Sequence, residues 1–488
     1  MTKLLESVHH FVWGIPALVL ILGVGLYLSL RTGFAQIRLF PKAVRLFFCK
    51  LLKRDEDGVS PFRALCTALA ATVGTGNIAG VAGAIAMGGP GAVFWMWISA
   101  LLGMMTKFAE AALAVRYRTK QGDDFVGGPM YMIENGLGNR FRWLAGIYCF
   151  FGVVASFGVG NLSQINAVIT GTNEMMRFFG MNVTRFSSLL IGFVLAIVIT
   201  AMLLGGARRI GAIAEALVPF ASVLYLLMGG VVLILRREAV PEAFSSILSG
   251  AFTPKAVTGG MVGSVFQTLR VGVSRGVFTN EAGMGTASIA HASAKVDHPA
   301  EQGMMGMIEV FLDTIVICTM TALVILCSGI SIPYGTDEGA SLTTRAFASV
   351  CGDWISVPIA LSLCCFAFAT VLGWGLYGAR CAQYLFGNHV WKYFALLQGI
   401  SVLLGAILNT SIVWLLSETI NGLMSIPNLI ALAALSPQLI ALTKHYQSRP
   451  GRVSAVGGTY ENFNQCKPLR TVSYEKVPPS GCEGTAAG

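Results

Sequence analysis

Apolar residues fill this chain in long blocks, and short connections between them gather most of the Lys, Arg, Asp and Glu. A block of about 20 apolar residues is the length a helix needs to cross roughly 30 Å of hydrocarbon. About eleven such blocks are expected, over 12–30, 61–87, 89–116, 144–172, 186–205, 212–236, 257–282, 302–330, 354–379, 391–409 and 413–443. Between the first two, Phe40, Val44, Phe47 and Phe48 fall at helical spacing among Arg38, Lys42, Arg45 and Lys50. That pattern predicts a helix over 36–52 lying in the membrane interface. Past residue 443 the periodicity stops, and 444–488 reads as a disordered tail.

Two of the blocks, the second and the seventh, are interrupted. The first interruption reads Ala70-Ala-Thr-Val-Gly-Thr-Gly-Asn-Ile-Ala-Gly80, and the second Gly272-Val-Ser-Arg-Gly-Val-Phe-Thr-Asn-Glu-Ala-Gly283. Backbone that leaves the helical path inside a bilayer exposes N–H and C=O groups, each costing several kcal/mol unless protein or a wet cavity satisfies it. A matched pair of such segments, one in each half of a chain, is the best sequence-level pointer to the binding site of a secondary transporter. The expected architecture is therefore an all-α polytopic membrane protein with two discontinuous helices. One transporter domain covers 1–443, with candidate inverted five-helix repeats over 61–236 and 257–443.

Composition agrees: 55% of the 488 residues are hydrophobic and 12% are charged, which excludes a soluble globular domain. The net charge of +10 does not point to nucleic acid, because the basic residues crowd alternate connections. With the N-terminus outside and the C-terminus cytoplasmic, about two dozen face the cytoplasm and about seven the other side, as insertion into the cell (inner) membrane favours. The block from Trp13 to Leu30 lacks a credible cleavage site and reads as a retained span. Eleven cysteines show no metal-ligand spacing and read as small apolar packing.

The candidate chemistry gathers at the interruptions. In the first, Gly74 and Gly76 let other groups approach the main chain, and Thr72, Thr75 and Asn77 add hydroxyl and amide groups suited to a zwitterion. A half-helix starting near Asn77 would turn unpaired N–H groups toward a carboxylate. In the second, the main chain from Gly272 to Val277 is expected to contact solute, through Gly272, Val273, Gly276 and Val277. Arg275 and Glu281 are expected near the cytoplasmic edge, in gate or structural ion pairs. Gln164 lies mid-span and can both donate to and accept from an amino acid, whereas Asn161 and Asn166 read as interhelical bonds. Glu110 with Lys107 suggests a local ion pair near the membrane edge. Glu309 and Asp313 share a helical face, as a cation station or a solvated vestibule. Thr370 and Trp374 also share a face, suited to a small apolar side chain of a ligand.

These residues resemble the alanine or glycine:cation symporter family, also called sodium:alanine symporters, over about residues 10 to 445. The motifs are Gly74-Thr-Gly-Asn-Ile-Ala-Gly80, Gly88-Gly-Pro-Gly-Ala-Val-Phe-Trp95, Gly127-Gly-Pro-Met-Tyr131, Arg275-Gly-Val-Phe-Thr-Asn-Glu-Ala-Gly283, Phe366-Ala-Phe-Ala-Thr-Val-Leu-Gly-Trp374 and Asn421-Gly-Leu-Met-Ser-Ile-Pro-Asn428. The resemblance implies a leucine-transporter-type fold and Na⁺-coupled uptake of small neutral amino acids such as alanine or glycine. It implies a pocket of Thr75, Gly76, Asn77, Gln164, Thr370 and Trp374. Na⁺ would sit on the carbonyls of Ala71 and Gly74 and on Thr370, since hard cations want oxygen ligands. Ala369 stands where the family usually has Ser, which implies one oxygen fewer near the cation. Thr279 keeps the hydroxyl of a usual Ser, and Glu418 stands where Asp is common.

Two rivals keep the same fold: coupling to H⁺, and glutamine as the solute. A polytopic enzyme would want a nucleophile–base set or a metal cluster at membrane depth, and Cys66 lacks a partner base. A channel would more naturally show a pore-lining ring in an oligomer.

Overall fold

A computed structural model describes residues 14–51, 58–122, 124–253, 264–336, 339–407 and 410–448. It is helical almost throughout: α1 Ile15–Arg31, α2 Phe40–Leu51, α3 Pro61–Thr72, α4 Gly76–Gly88, α5 Ala92–Arg116, α6 Asn139–Phe178, α7 Arg185–Leu204, α8 Gly206–Leu235 and α9 Val240–Phe252. There follow α10 Val265–Asn280, α11 Thr286–His291, α12 Pro299–Cys327, α13 Gly339–Cys351, α14 Ser356–Phe386, α15 Val390–Gly405, α16 Thr410–Ala434 and α17 Ser436–Gln447. A small antiparallel hairpin, β1 Thr119–Gln121 with β2 Asp124–Val126, follows α5. Six of the helices are each long and apolar enough to span a membrane, and two bent pairs are further candidates. The protein is thus a multi-pass membrane protein.

The helices sort by what surrounds them. In its most apolar stretch α5 is 83% buried inside the protein, whereas α7 is 22% buried and turns Phe186, Leu190, Phe193 and Ile197 outward. In water such a face would be a liability; in hydrocarbon it is the solvated one. The innermost helices, α3, α5, α10, α12 and α14, pack on one another and carry the buried polar groups. The expected interfacial helix is α2, its Phe40 ring 4.8 Å from Phe311 and its Phe47 ring 6.0 Å from Phe62.

Three expectations need correction. The last block is two helices, α16 and α17, with a bend of 60° beside the Ser436-Pro437 start of the second. The tail was expected from residue 444, but α17 runs through Gln447, and the remainder lies outside the described residues. The second interruption is also displaced. Residues 272–277 are helical, and the chain unwinds after Asn280, where Glu281 takes φ 54°, Gly283 φ 97° and Gly285 φ 79°. The reason is packing. A Cβ on Gly272 would strike the Ala92 carbonyl and come within 2.8 Å of Trp95 Cβ, while Gly276 lies against Ser99 and Met96. Small residues four apart seat α10 on α5, and their main-chain groups stay bonded within the helix.

Candidate functional site

The first interruption is a true break. α3 starts on a Ser60 cap, whose hydroxyl accepts the Arg63 N–H at 3.0 Å, and ends at Val73 in extended conformation. α3 and α4 meet at 54°. The Gly74 N–H donates to Asn77 Oδ1 at 2.9 Å, so the Ala70 carbonyl loses its helical donor. With no further turn above them, the carbonyls at the end of α3 are left free of the helical ladder. α4 then opens with a π-helical turn, Gly76–Gly80. Another π-turn, Gly158–Leu162, interrupts α6 where Gly160 packs on Trp374, and a third, Phe311–Cys318, interrupts α12. Such turns cost regular hydrogen bonding and recur at functional sites.

Around this break the expected residues come together. A Cβ on Gly74 would lie 2.8 Å from Thr370 Oγ1 and 3.7 Å from Gln164 Oε1. Thr75 Oγ1 donates to Gln164 Oε1 at 3.2 Å. Ala71 packs on Gly373, where a Cβ would meet its main chain at 2.9 Å. The Thr370 hydroxyl donates to the Phe366 carbonyl at 3.0 Å, which leaves its lone pairs available to a cation. Gly76 faces Thr279 and Phe278. Trp374 is buried against Gly160 of the π-turn in α6. Every one of these side chains except Phe278 is almost wholly buried, including Gln164 at 3% and Asn77 at 0% exposure. Gly272, Val273, Gly276 and Val277, expected to offer main chain, lie within the helical run of α10.

The second break is built differently. Its freed N–H groups, on Gly283 and Gly285, both donate to Glu110 Oε1, at 2.9 and 3.0 Å. Asn428 Nδ2 adds a third bond to that oxygen at 2.8 Å and reaches the Gly283 carbonyl at 2.9 Å. The carboxylate of α5 thus occupies the position a bound anion would take. Glu110 therefore forms no local pair with Lys107, whose Nζ lies 3.2 Å from Glu309 Oε1. Gln302 Nε2 can only donate, so its 2.6 Å contact makes His291 Nδ1 the acceptor, and His291 Nε2 carries the proton toward Glu309 Oε2 at 2.8 Å. Glu309 and Asp313, expected to act on one face, are sent to different neighbours by the π-turn between them. Glu281, expected in an ion pair, is instead held by neutral donors. It is 3% exposed, accepts the Trp374 indole N–H at 2.9 Å, and takes the Thr286 hydroxyl on its other oxygen. Arg275, expected beside it, is half-buried in α10. Asn161 bonds across helices to Gln398, as expected. Glu418 lies among residues whose side chains are outside the described set.

Sequence reasoning missed Phe278, Gly160, Asn280 and Asn428. Asn280 and Asn428 carried a signal, each as an amide within an apolar block; Phe278 and Gly160 are placed by tertiary packing alone.

Comparison with known proteins follows this geometry. The model of the sodium:alanine symporter family matches residues 1–454. An uncharacterized transporter of Haemophilus influenzae is 45% identical, over 92% of this chain and 96% of its own length. The sodium/alanine symporter AgcS of Methanococcus maripaludis is 44% identical, over 91% and 97% respectively. Among solved structures, MhsT in complex with L-phenylalanine superposes with TM-score 0.56 at 15% identity, covering 80% of this chain and 99% of that one. At that identity the likeness carries the fold alone, a leucine-transporter-type architecture of inverted five-helix repeats with two discontinuous helices.

Proposed function

Because the chain belongs to the sodium:alanine symporter family, a family of transporters and not of enzymes, we propose that it couples Na⁺ entry to uptake of a small neutral amino acid such as alanine or glycine. The observation that carries this reading is the first break, where Gly74, Thr75, Gln164 and Thr370 meet around main chain released from α3. The ion is held by the Ala71 and Gly74 carbonyls and Thr370 Oγ1, an all-oxygen set of the kind hard cations choose. The solute carboxylate lies at the start of α4, on the N–H groups of Thr75 and Gly76, since the Asn77 N–H is given to the Gly74 carbonyl at 3.3 Å; the helix dipole there favours negative charge. Gln164 turns an amide to its polar end. Trp374 and Phe278 wall its side chain and set the limit on size. Gly272, Val273, Gly276 and Val277 hold α10 to α5 and leave the solute to Phe278 and Thr279 at the end of that helix.

Transport proceeds by alternating access, the repeats rocking about the site. The N-terminus lies outside the cell membrane and the C-terminus in the cytoplasm, as the Lys and Arg distribution favours. One Na⁺ entering down about 100 mV supplies roughly 2.3 kcal/mol. A tenfold Na⁺ gradient adds about 1.4 kcal/mol, and together they sustain a solute gradient of a few hundredfold. The test is uptake of labelled alanine into proteoliposomes. Accumulation that needs Na⁺ and resists competition by glutamine supports the proposal; accumulation unchanged when choline replaces Na⁺ refutes the coupling. A second reading, H⁺ coupling, draws on the buried carboxylates Glu110, Glu281, Glu309 and Asp313. Uptake driven by a pH gradient without Na⁺ would select it.

A further inference from the structure

The two breaks are joined by a continuous chain of hydrogen bonds that passes through a single carboxylate. At the first break the Gly74 N–H is capped by Asn77 Oδ1, and Asn77 Nδ2 donates to Asp313 Oδ1 at 2.7 Å. At the second, the Ala282 N–H is capped by Asn280 Oδ1 at 3.0 Å, and Asn280 Nδ2 donates to Thr314 Oγ1 at 3.0 Å. The Thr314 hydroxyl passes its only proton to Asp313 Oδ2 at 2.8 Å. Asn77 Nδ2 also reaches the Asp313 carbonyl at 3.2 Å and Cys318 Sγ at 3.3 Å, and the four linking side chains, Asn77, Asp313, Thr314 and Asn280, are each at most 1% exposed. The π-turn of α12 holds Asp313 and Thr314 where both asparagines reach them.

We propose that Asp313 is a positioning residue that ties the two unwound segments into one unit, so that occupancy of the first break sets the geometry of the second. Each oxygen of the carboxylate serves one break, so the arms are separable by mutation. Thr314→Val, nearly isosteric, removes the hydroxyl and severs only the arm to Ala282. Asp313→Ala removes both acceptors and so disturbs both arms. Thr314→Ser keeps the hydroxyl.

The test is amide hydrogen exchange of the purified full-length protein in nanodiscs, read at segments 74–77 and 282–285. Without ligand, Thr314→Val should exchange roughly tenfold faster at 282–285 only, the loss expected of a bond to a buried charged group. Asp313→Ala should be faster at both segments, and Thr314→Ser should match the parent. The coupling rests on the functional reading above and is read by adding NaCl and alanine. The parent should gain protection at both segments, Thr314→Val at 74–77 alone. Parent-like exchange at 282–285 in Thr314→Val, with and without ligand, overturns the strap, as does Thr314→Ser behaving like Thr314→Val. If the additions protect neither segment of the parent, the functional reading fails instead. The strap is then decided by the unliganded rates, which must rise as stated.

Discussion

A methyl group added to Gly74 is a direct trial of the proposed ion site. Its Cβ would sit 2.8 Å from Thr370 Oγ1, closer than side chains pack, so one partner has to yield. Thr370 is β-branched, stiff at χ1, and bonded to the Phe366 carbonyl at 3.0 Å. Moving it means leaving that rotamer and that bond. Overpacking of this kind costs about 1–3 kcal/mol, a factor of roughly 5–150 in an equilibrium constant. Because the displaced oxygen is a proposed ligand of the ion, most of the penalty should fall on Na⁺. The expectation is a Na⁺ half-saturation for alanine uptake raised about tenfold or more in Gly74→Ala, with the protein still folded. Gly146→Ala is the control, since nothing lies within 4 Å of its added Cβ. Initial uptake rates over a Na⁺ series in proteoliposomes give both values. A Gly74→Ala protein with the parent's Na⁺ dependence would refute the placement of the ion, and equal impairment of Gly146→Ala would show the effect to be unspecific.

Other expectations separate binding from scaffold. Thr75→Val removes the 3.2 Å bond to Gln164 and should raise the alanine half-saturation about fivefold, with Thr75→Ser near the parent, in the same uptake assay. Gly272→Ala drives a Cβ into the Ala92 carbonyl. It should lower the thermal midpoint while leaving Na⁺ and alanine half-saturation of the folded fraction unchanged; the reverse pattern would return residues 272–277 to the binding site. Lys107→Met removes the cation beside Glu309, both being 0% exposed, and leaves that carboxylate only its His291 bond. It should lose about 3–5 kcal/mol of stability, and Lys107→Met with Glu309→Gln should recover part of it, read by thermal unfolding of purified protein.

Hydrophobic periodicity exposed the spans because it acts locally: each block must satisfy its own backbone whatever its neighbours do. The first break was legible for the same reason. Thr72 to Asn77 places three polar side chains and two glycines in six residues, more than packing needs. The second was misplaced because glycine has two uses that look alike in a sequence. Gly272 and Gly276 are four apart and serve contact with α5, whereas Gly283 and Gly285 take positive φ and turn the chain. A spacing of four inside a helix favours the first use; glycines two apart after an Asn favour the second. The partner of that turn, Glu110, lies over 170 residues upstream, and no local pattern announces such a contact.

The two breaks, alike in hydropathy, therefore divide the work. At the first, the carbonyls at the end of α3 are freed and the groups beside them are hydroxyls, an amide and an indole, with the Asp313 carboxyl one step behind on Asn77. At the second, the freed N–H groups are already bound to a carboxylate of the protein itself, and nearby Glu309 is paired with Lys107 and takes the His291 N–H. A zwitterion with a cation brings one net positive charge, which the oxygens at the first break can accept with the Asp313 carboxyl close behind them. The second break has its anion built in, so it is suited to holding position and not to receiving solute. Glu110→Gln should then weaken uptake through the stability of segment 281–285, with slower turnover and little change in Na⁺ half-saturation. A large shift in Na⁺ half-saturation on that change would place the ion at the second break and overturn this division.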